Sequence, residues 1–268
     1  MQVLHSRDFG LGNRRKTDMA KSRIIPPSTG VNPQPKNHLL AALVAEDFHR
    51  VLPNLKTVKT RPKQVFQKDG APIEFVYFLN GGVGSMTTIL SDGAMVEAAT
   101  IGNEGMIGIE AFYGANPKAS GETIMQVPDT DAEMMSVEAF REEMERHGAF
   151  HNLIARYAQV MLVQTMQATA CIARHPLEER CCRWLLEAHD RMNREDFHVS
   201  HEFLAIMLGV RRQTVTVVAG TLQRAGFIKY THGHVTILDR KALEAASCEC
   251  YAVLRRQFDQ LRDQPAIR

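Results

Sequence analysis

Cysteine is scarce in this chain: five occur in 268 residues, and none precedes Cys171. That is too few for a disulfide scaffold, and their grouping fits a reducing compartment. No run of about 18 apolar residues is present, so neither a membrane-spanning helix nor a membrane partner is expected. The opening MQVLHSRDFGLGNRRKTDMAKSR lacks an apolar core of signal-peptide length, which points to the cytoplasm. No Ser/His/Asp set, phosphate loop or metal-ligand spacing stands out, so no enzymatic function is expected. What remains is an ordinary soluble composition, 44% hydrophobic and 23% charged, in a chain long enough for two domains.

The net charge of +2 hides an asymmetry. Residues 1–37 carry seven Lys or Arg against two Asp or Glu, whereas residues 38–146 carry nine against sixteen. No carboxylate occurs between Glu202 and Asp239, yet Arg211, Arg212, Arg224 and Lys229 all fall there. A basic stretch without acids is what a phosphate-facing surface requires, because a carboxylate there would repel the duplex.

Proline and glycine punctuate the chain. Residues 1–37, with Pro26, Pro27, Pro33 and Pro35, read as a disordered basic tail; Met19 is an alternative start, and Arg14, Arg15 and Lys16 could add non-specific phosphate contacts. Residues 38–52 read as a helix with Leu39, Leu40, Leu43, Val44 and Phe48 in one stripe. From 63 to 135, five short β-runs broken by Gly, Asp and Pro predict a small antiparallel barrel or sandwich within a domain over 38–146. Between Gly148 and Pro176 there is neither Pro nor Gly, which predicts one long helix over 147–175. Along it Phe150, Ile154, Tyr157, Met161, Ala168 and Cys171 recur at four- and three-residue steps around Gln164. That spacing predicts a dimer seam, with Leu153, Val160 and Leu162 left to cover the barrel. Residues 176–192 predict a further helix with a buried stripe of Leu177, Cys181, Trp184, Leu185, Ala188 and Met192, and with Arg180 and Arg183 outside it.

The stretch SHEFLAIMLGVRRQTVTVVAG over 200–220 carries the function. Leu204, Leu208, Val210, Val215 and Val218 supply apolar contacts between two helices, Ala205 is small where they cross, and Gly209 sits at the turn. This predicts a helix-turn-helix whose second helix runs from Arg211 to Ala225 and enters the major groove. Arg212 is the candidate for guanine O6 and N7, Gln213 for adenine, and Thr216 lies on the same base-reading face. Ser200, His201, Arg211 and Thr214 are assigned to phosphates. The run FIKYTHGHVTIL predicts a β-hairpin, the wing of a winged helix, with Lys229, His232 and His234 near the backbone. Asp239 is expected to cap a final helix reaching Leu261.

A helix, a small β-roll, a long helix and a C-terminal winged helix-turn-helix together resemble the CRP/FNR family of bacterial transcription regulators. The likeness spans about residues 38–255. It is most specific in ARHPLEERCCRWLLEAHDR and HEFLAIMLGVRRQTVTVVAGTLQRAGFI. The implied fold is α+β: a jelly-roll-like β-roll of the cyclic-nucleotide-binding type, a dimerisation helix and a winged helix-turn-helix over 176–268. The resemblance implies a homodimer on an inverted repeat of double-stranded DNA, with RNA polymerase as a further partner for an activator. Arg212 matches the family's guanine-reading arginine. Gln213 stands where many members carry Glu, and Val217 where cyclic-AMP receptors carry a second base-reading arginine.

The family's cyclic-nucleotide cassette is degenerate here. Its first part falls on Gly105, Gly108, Ile109 and Glu110, with Ile109 at the glutamate position. Its second falls on Lys118 and Ser120, without an arginine for the cyclic phosphate. Cyclic-nucleotide binding in the usual mode is therefore not expected. An iron–sulfur cluster is not expected either, for want of cysteines near the sensor, nor is haem, because no His lies between His49 and His147. The effector stays open, and no cofactor is evident. Cys181 and Cys182 are adjacent on a helix, and Cys248 and Cys250 are two apart on another, so both pairs are expected to diverge. All five thiols read as buried and structural, with no metal site; a second reading pairs Cys171 with its symmetry mate across the seam. The other functional reading is a ligand-binding or scaffold protein with a vestigial helix-turn-helix.

Overall fold

The computed structural model describes residues 35–114, 116–128, 131–192 and 194–263. The expected tail lies outside the described residues, except for Pro35–Asn37. Those three belong to the body: Asn37 is fully buried, and its side-chain nitrogen donates to the carbonyls of Leu79 and Gly105 at 2.8 Å each.

The same Asn37 caps α1 (His38–Ala41), accepting from the amides of Leu39 and Leu40. The helix expected over 38–52 is in fact two. Val44 is extended and starts α2 (Ala45–Val51) with Glu46 and Asp47 in the first turn, where carboxylates favour a helix start. Leu39, Leu40, Leu43 and Phe48 are buried as expected, but Val44, at the break, is exposed.

The β-region forms two four-stranded antiparallel sheets. One has the order β1 (Lys56–Lys59), β8 (Asp131–Ser136), β3 (Phe75–Leu79), β6 (Met106–Ile107). The other has the order β2 (Val65–Gln67), β7 (Glu122–Val127), β4 (Val83–Ile89), β5 (Met95–Ile101). Strand β7 shows the two-residue alternation, with Thr123, Met125 and Val127 buried. The run ETIMQVPDTDAEMMS supplies two strands rather than one. Strand β1 is not legible in the sequence because Val58 is its sole apolar residue; it lies at a sheet edge, where lysines discourage further pairing.

After α3 (Val137–Glu145) comes α4 (Ala149–Arg174), 26 residues long, or about 39 Å at 1.5 Å per residue. Its predicted seam faces inward. Phe150, Ile154, Tyr157 and Met161 pack in the core of the roll. The Tyr157 hydroxyl donates to the Met106 carbonyl at 3.0 Å, and Gln164 Nε2 donates to the Thr100 carbonyl at 3.1 Å. Ala168 is half-buried, and Cys171 is fully buried against Cys248 of the same chain. These residues are consumed by the chain's own core, so the seam assignment is corrected, and with it the pairing of Cys171 with a symmetry mate. Leu153 and Val160 are buried, whereas Leu162 is exposed and does not cover the roll.

The C-terminal part comprises α5 (Leu177–Asp190), β9 (Asp196–His198), α6 (His201–Leu208), α7 (Arg212–Arg224), β10 (Ile228–Thr231), β11 (His234–Ile237), α8 (Arg240–Ala245) and α9 (Cys250–Asp263). Trp184, Leu185, Phe197, Leu204, Leu208, Val215, Val218 and Val235 form its core. Arg180 and Arg183, which lie outside the predicted apolar stripe, are nonetheless covered. Arg180 donates to the Leu208 carbonyl, and Arg183 pairs with Glu187 at 2.7 Å.

The final helix expected from Asp239 to Leu261 breaks at residues 246–249. Asp239 does cap α8 through Ala242, but α9 starts afresh at Cys250. It then runs along α4 and delivers Phe258 and Leu261 to the core of the roll. Because Cys248 lies in the break and Cys250 opens α9, the helical divergence expected of the pair does not apply. Their sulfurs converge with Cys171 and His175. The sequence spacing, from which no metal site is expected, does not show this juxtaposition of four possible ligands. Cys181 and Cys182 remain core thiols, pushed up to about 12 and about 11 by burial.

Candidate nucleic-acid interface and effector region

Ser200 caps α6 by accepting from the Phe203 amide at 3.1 Å. Gly209 ends that helix at φ 65°, a conformation that a β-carbon would strain. The chain turns through 103° into α7. Val215, Val218 and Leu222 face the core, and Val210 is half-buried at the turn.

That packing turns the opposite side of α7 outward. Arg211, Arg212, Gln213, Thr214, Thr216 and Val217 are all exposed. Arg211 is the residue before the first turn, so its side chain and that of Arg212 flank the helix N-terminus, where unpaired amides favour anions. Thr216 Oγ1 lies 3.0 Å from His201 Nδ1 and 3.2 Å from the Arg212 carbonyl. His201 stacks on Tyr230, with centroids 4.4 Å apart. Burial, then the nearby Arg212 charge, keep its imidazole below the usual histidine range and favour the neutral ring.

One contact on this face is not legible in the sequence. Glu202 reaches Arg212, with Oε1 3.0 Å from Nε, so the base-reading candidate carries an internal counter-ion. The sequence places Glu202 at the edge of the acid-free stretch, but only the crossing of the two helices brings it to Arg212. Val217, already placed by the resemblance at a base-reading position, projects from the same face as Gln213 one turn earlier and is 65% exposed.

The wing forms as expected. Strands β10 and β11 pair around His232 and Gly233, both at positive φ, a two-residue turn suited to a twisted hairpin. Strand β9 adds a third strand, and the Tyr230 hydroxyl donates to the Val199 carbonyl. Lys229, His232 and His234 are exposed, with the His234 ring edge-on to His198.

In the roll, Gly105, Gly108 and Ile109 serve packing, whereas Lys118 and Ser120 are exposed. Gly105 lies under Tyr157, where an added β-carbon would sit 2.5 Å from the hydroxyl oxygen. Gly108, at φ 94°, opens the 3-10 turn Ile109–Phe112. Ile109 is buried, Glu110 Oε1 accepts from the Ser120 amide at 3.3 Å, and Lys118 lies beside Pro72.

The roll also meets the helix-turn-helix through α6. Met207 sulfur lies 3.0 Å from Ser85 Oγ, which donates to Glu97 at 2.5 Å. Burial pushes the Glu97 carboxyl up to about 8. Nearby, buried Arg191 pairs with Glu104 at 2.7 Å and donates to Thr100 Oγ1 at 2.8 Å.

Residues 179–246 match the family model of the Crp-like helix-turn-helix domain. The chain is 24% identical over 214 residues to the global nitrogen regulator of Synechocystis sp., covering 76% of this chain and 93% of that protein. Among solved structures it resembles FixK2 from Bradyrhizobium japonicum, with a TM-score of 0.62, 16% identity and coverage of 72% of this chain and 98% of that one. It also resembles TTHA1359, a transcriptional regulator of the CRP/FNR family from Thermus thermophilus, with a TM-score of 0.56, 21% identity and coverage of 72% and 98%. The chain thus carries a Crp-like helix-turn-helix domain over residues 179–246, and its described residues share the fold of a CRP/FNR-family regulator.

Proposed function

We propose that the protein is a homodimer that reads an inverted repeat in double-stranded DNA. The observation that carries this reading is the outward face of α7, where Arg212, Gln213, Thr216 and Val217 form one exposed strip beyond a glycine-ended turn. Arg212 is suited to guanine, Gln213 to adenine, and the Val217 methyls to the thymine methyl. Arg211 and Thr214 flank the strip for phosphates, with Lys229 and His234 on the wing. Ser200 uses its hydroxyl as a cap, so at that end the phosphate would meet the first amides of α6, beside His201.

Dimerisation runs through the outer face of α4 in this reading. Gln159, Leu162, Met166, Thr169 and Ala173 recur at three- and four-residue steps and are all exposed, with Leu162 at 61% and Met166 at 64%.

The roll takes no cyclic nucleotide in the family's usual mode. Buried Ile109 stands at the ribose-binding carboxylate position, and Glu110 is already engaged with the Ser120 amide. No arginine occupies the cyclic-phosphate position, and Lys118 is a poor substitute for a bidentate partner.

Selection of binding sites from randomised duplexes tests the reading. The expected product is an inverted repeat whose half-site changes when Arg212 or Gln213 is replaced. Recovery of nothing above background, with and without cyclic nucleotides and cell extract, would favour a binding or scaffold role instead.

A further inference from the structure

Away from the DNA-reading face and the roll, four metal-ligating side chains meet at the joint between α4 and the C-terminal domain. Cys171 and His175 stand one turn apart at the end of α4. Cys248 lies in the break before α9, and Cys250 is the first residue of that helix. One ligand atom from each of the four falls within 4.8 Å of all the others. The Cys171 and Cys248 sulfurs are 3.6 Å apart, and Cys250 sulfur is 3.4 Å from His175 Nδ1. The three thiols form a small buried cluster of their own, apart from the two hydrophobic cores.

We propose that Cys171, His175, Cys248 and Cys250 bind one thiolate-preferring divalent cation of the zinc class. Three sulfurs and one imidazole nitrogen are a common ligand set of a closed, four-coordinate structural zinc site. The spacing fits one ion. Zinc–sulfur bonds of about 2.3 Å set the edge of the tetrahedron at roughly 3.8 Å, near the separations found here. An iron–sulfur cluster spreads its ligands over two or more irons and requires a wider set.

The surroundings match the chemistry. His175 turns Nδ1 to the sulfurs while Nε2 meets Glu249 at 3.0 Å, the carboxylate–histidine arrangement that orients a ligating ring. Gln167, one turn before Cys171, donates its amide to Cys250 sulfur at 3.0 Å, an interaction that favours thiolate. The sulfurs are shielded from solvent, and the partly exposed His175 side chain marks the way in. By contrast, Cys181 and Cys182 lie in the apolar core of the winged helix and join no such ligand set among the described residues.

An ion at this place ties the last turn of α4, immediately before Pro176, to the start of α9, although His175 and Cys248 are far apart in sequence. The helix break at residues 246–249 gains a physical purpose, since it points two cysteines two positions apart at one centre.

The test uses the full chain, reduced and stripped of metal. Co(II) added at one equivalent should give intense tetrahedral d–d bands and a thiolate charge-transfer band. Zn(II) should bleach both at one equivalent and raise the melting temperature. Cys171→Ser and Cys250→Ser should abolish the bands, while Cys182→Ala keeps them. Should the serine variants fail to fold, Glu249→Gln retains all four ligands and is expected to bind about 10- to 100-fold more weakly. The proposal is overturned if folded, reduced wild-type protein shows no stoichiometric Co(II) band. It is equally overturned by a weak octahedral spectrum, by bands indifferent to the serine substitutions, or by isolation of the protein with iron and sulfide. None of these outcomes depends on DNA binding.

Discussion

Arg212 and Glu202 form an exposed ion pair at the head of the recognition helix, with both side chains more than half exposed. Pairs of this kind contribute about 0–1 kcal/mol, so duplex phosphates and a guanine edge can take Arg212 from its partner at little cost. Arg212→Ala is expected to weaken specific binding by about 1–3 kcal/mol and to relax preference at one position per half-site. Glu202→Gln should tighten binding to all sequences, most visibly at low salt, because it removes a carboxylate beside the surface proposed to meet phosphates. Fluorescence anisotropy at two salt concentrations reads both. Glu97 behaves differently because it is enclosed between the roll and α6. Its carboxyl is pushed up to about 8 from the ordinary 4.5, so the folded state holds a proton that the unfolded state has released. The contribution of Glu97 to stability is therefore full below about pH 4.5 and is lost as pH rises towards 8, by up to about 1.4 kcal/mol per pH unit. Glu97→Gln is expected to flatten that decline; denaturant melts at pH 6 and pH 8 would show it.

Among the elements, α4 shows best how periodicity and facing differ. A long helix was legible from the want of Pro and Gly between residues 148 and 176, and its apolar repeat was legible too. Which stripe meets the roll was not, because the helix has apolar residues on more than one side; the more regular stripe turned inward. Leu162→Asp with Met166→Asp is expected to give a monomer of unchanged melting behaviour at low concentration, seen by sedimentation. Phe150→Ala, on the inner stripe, should instead cost about 3–5 kcal/mol of stability, read from denaturant melts. The break between α1 and α2 and the break before α9 share a cause. Each is made by backbone and cap geometry over a few residues, which leaves little trace in the hydrophobic pattern.

Over the whole molecule, the roll and the winged helix are joined by polar contacts that the sequence spreads over long intervals. Arg191 closes α5 and reaches Glu104 and Thr100 of the roll, all three largely enclosed. Arg240 reaches Asp190, Tyr251 and Glu244 and so gathers α5, α8 and α9. Helix α9 then carries Phe258 and Leu261 back to the roll. Removing one partner of a buried pair leaves the other charge uncompensated, so Arg191→Ala should cost about 3–5 kcal/mol. The expected readout is a lowered first transition on thermal melting, with α7 and the wing still folded by hydrogen exchange.

Local pattern by itself determined the order of roll, long helix, helix-turn-helix and wing. These are set by two-residue and 3.6-residue periods, by Gly209 and the His232–Gly233 turn, and by caps such as Ser200 and Asp239, all within a few residues of one another. The outward strip of α7 was legible for the same reason, since the apolar face of an amphipathic helix dictates the polar one. Tertiary structure alone decided the rest: that Arg180 and Arg183 are covered, that Glu202 meets Arg212, that the regular stripe of α4 turns inward, and that Cys171 and His175 converge with Cys248 and Cys250 on one centre. Those outcomes depend on how finished elements pack against each other, and no local period records that.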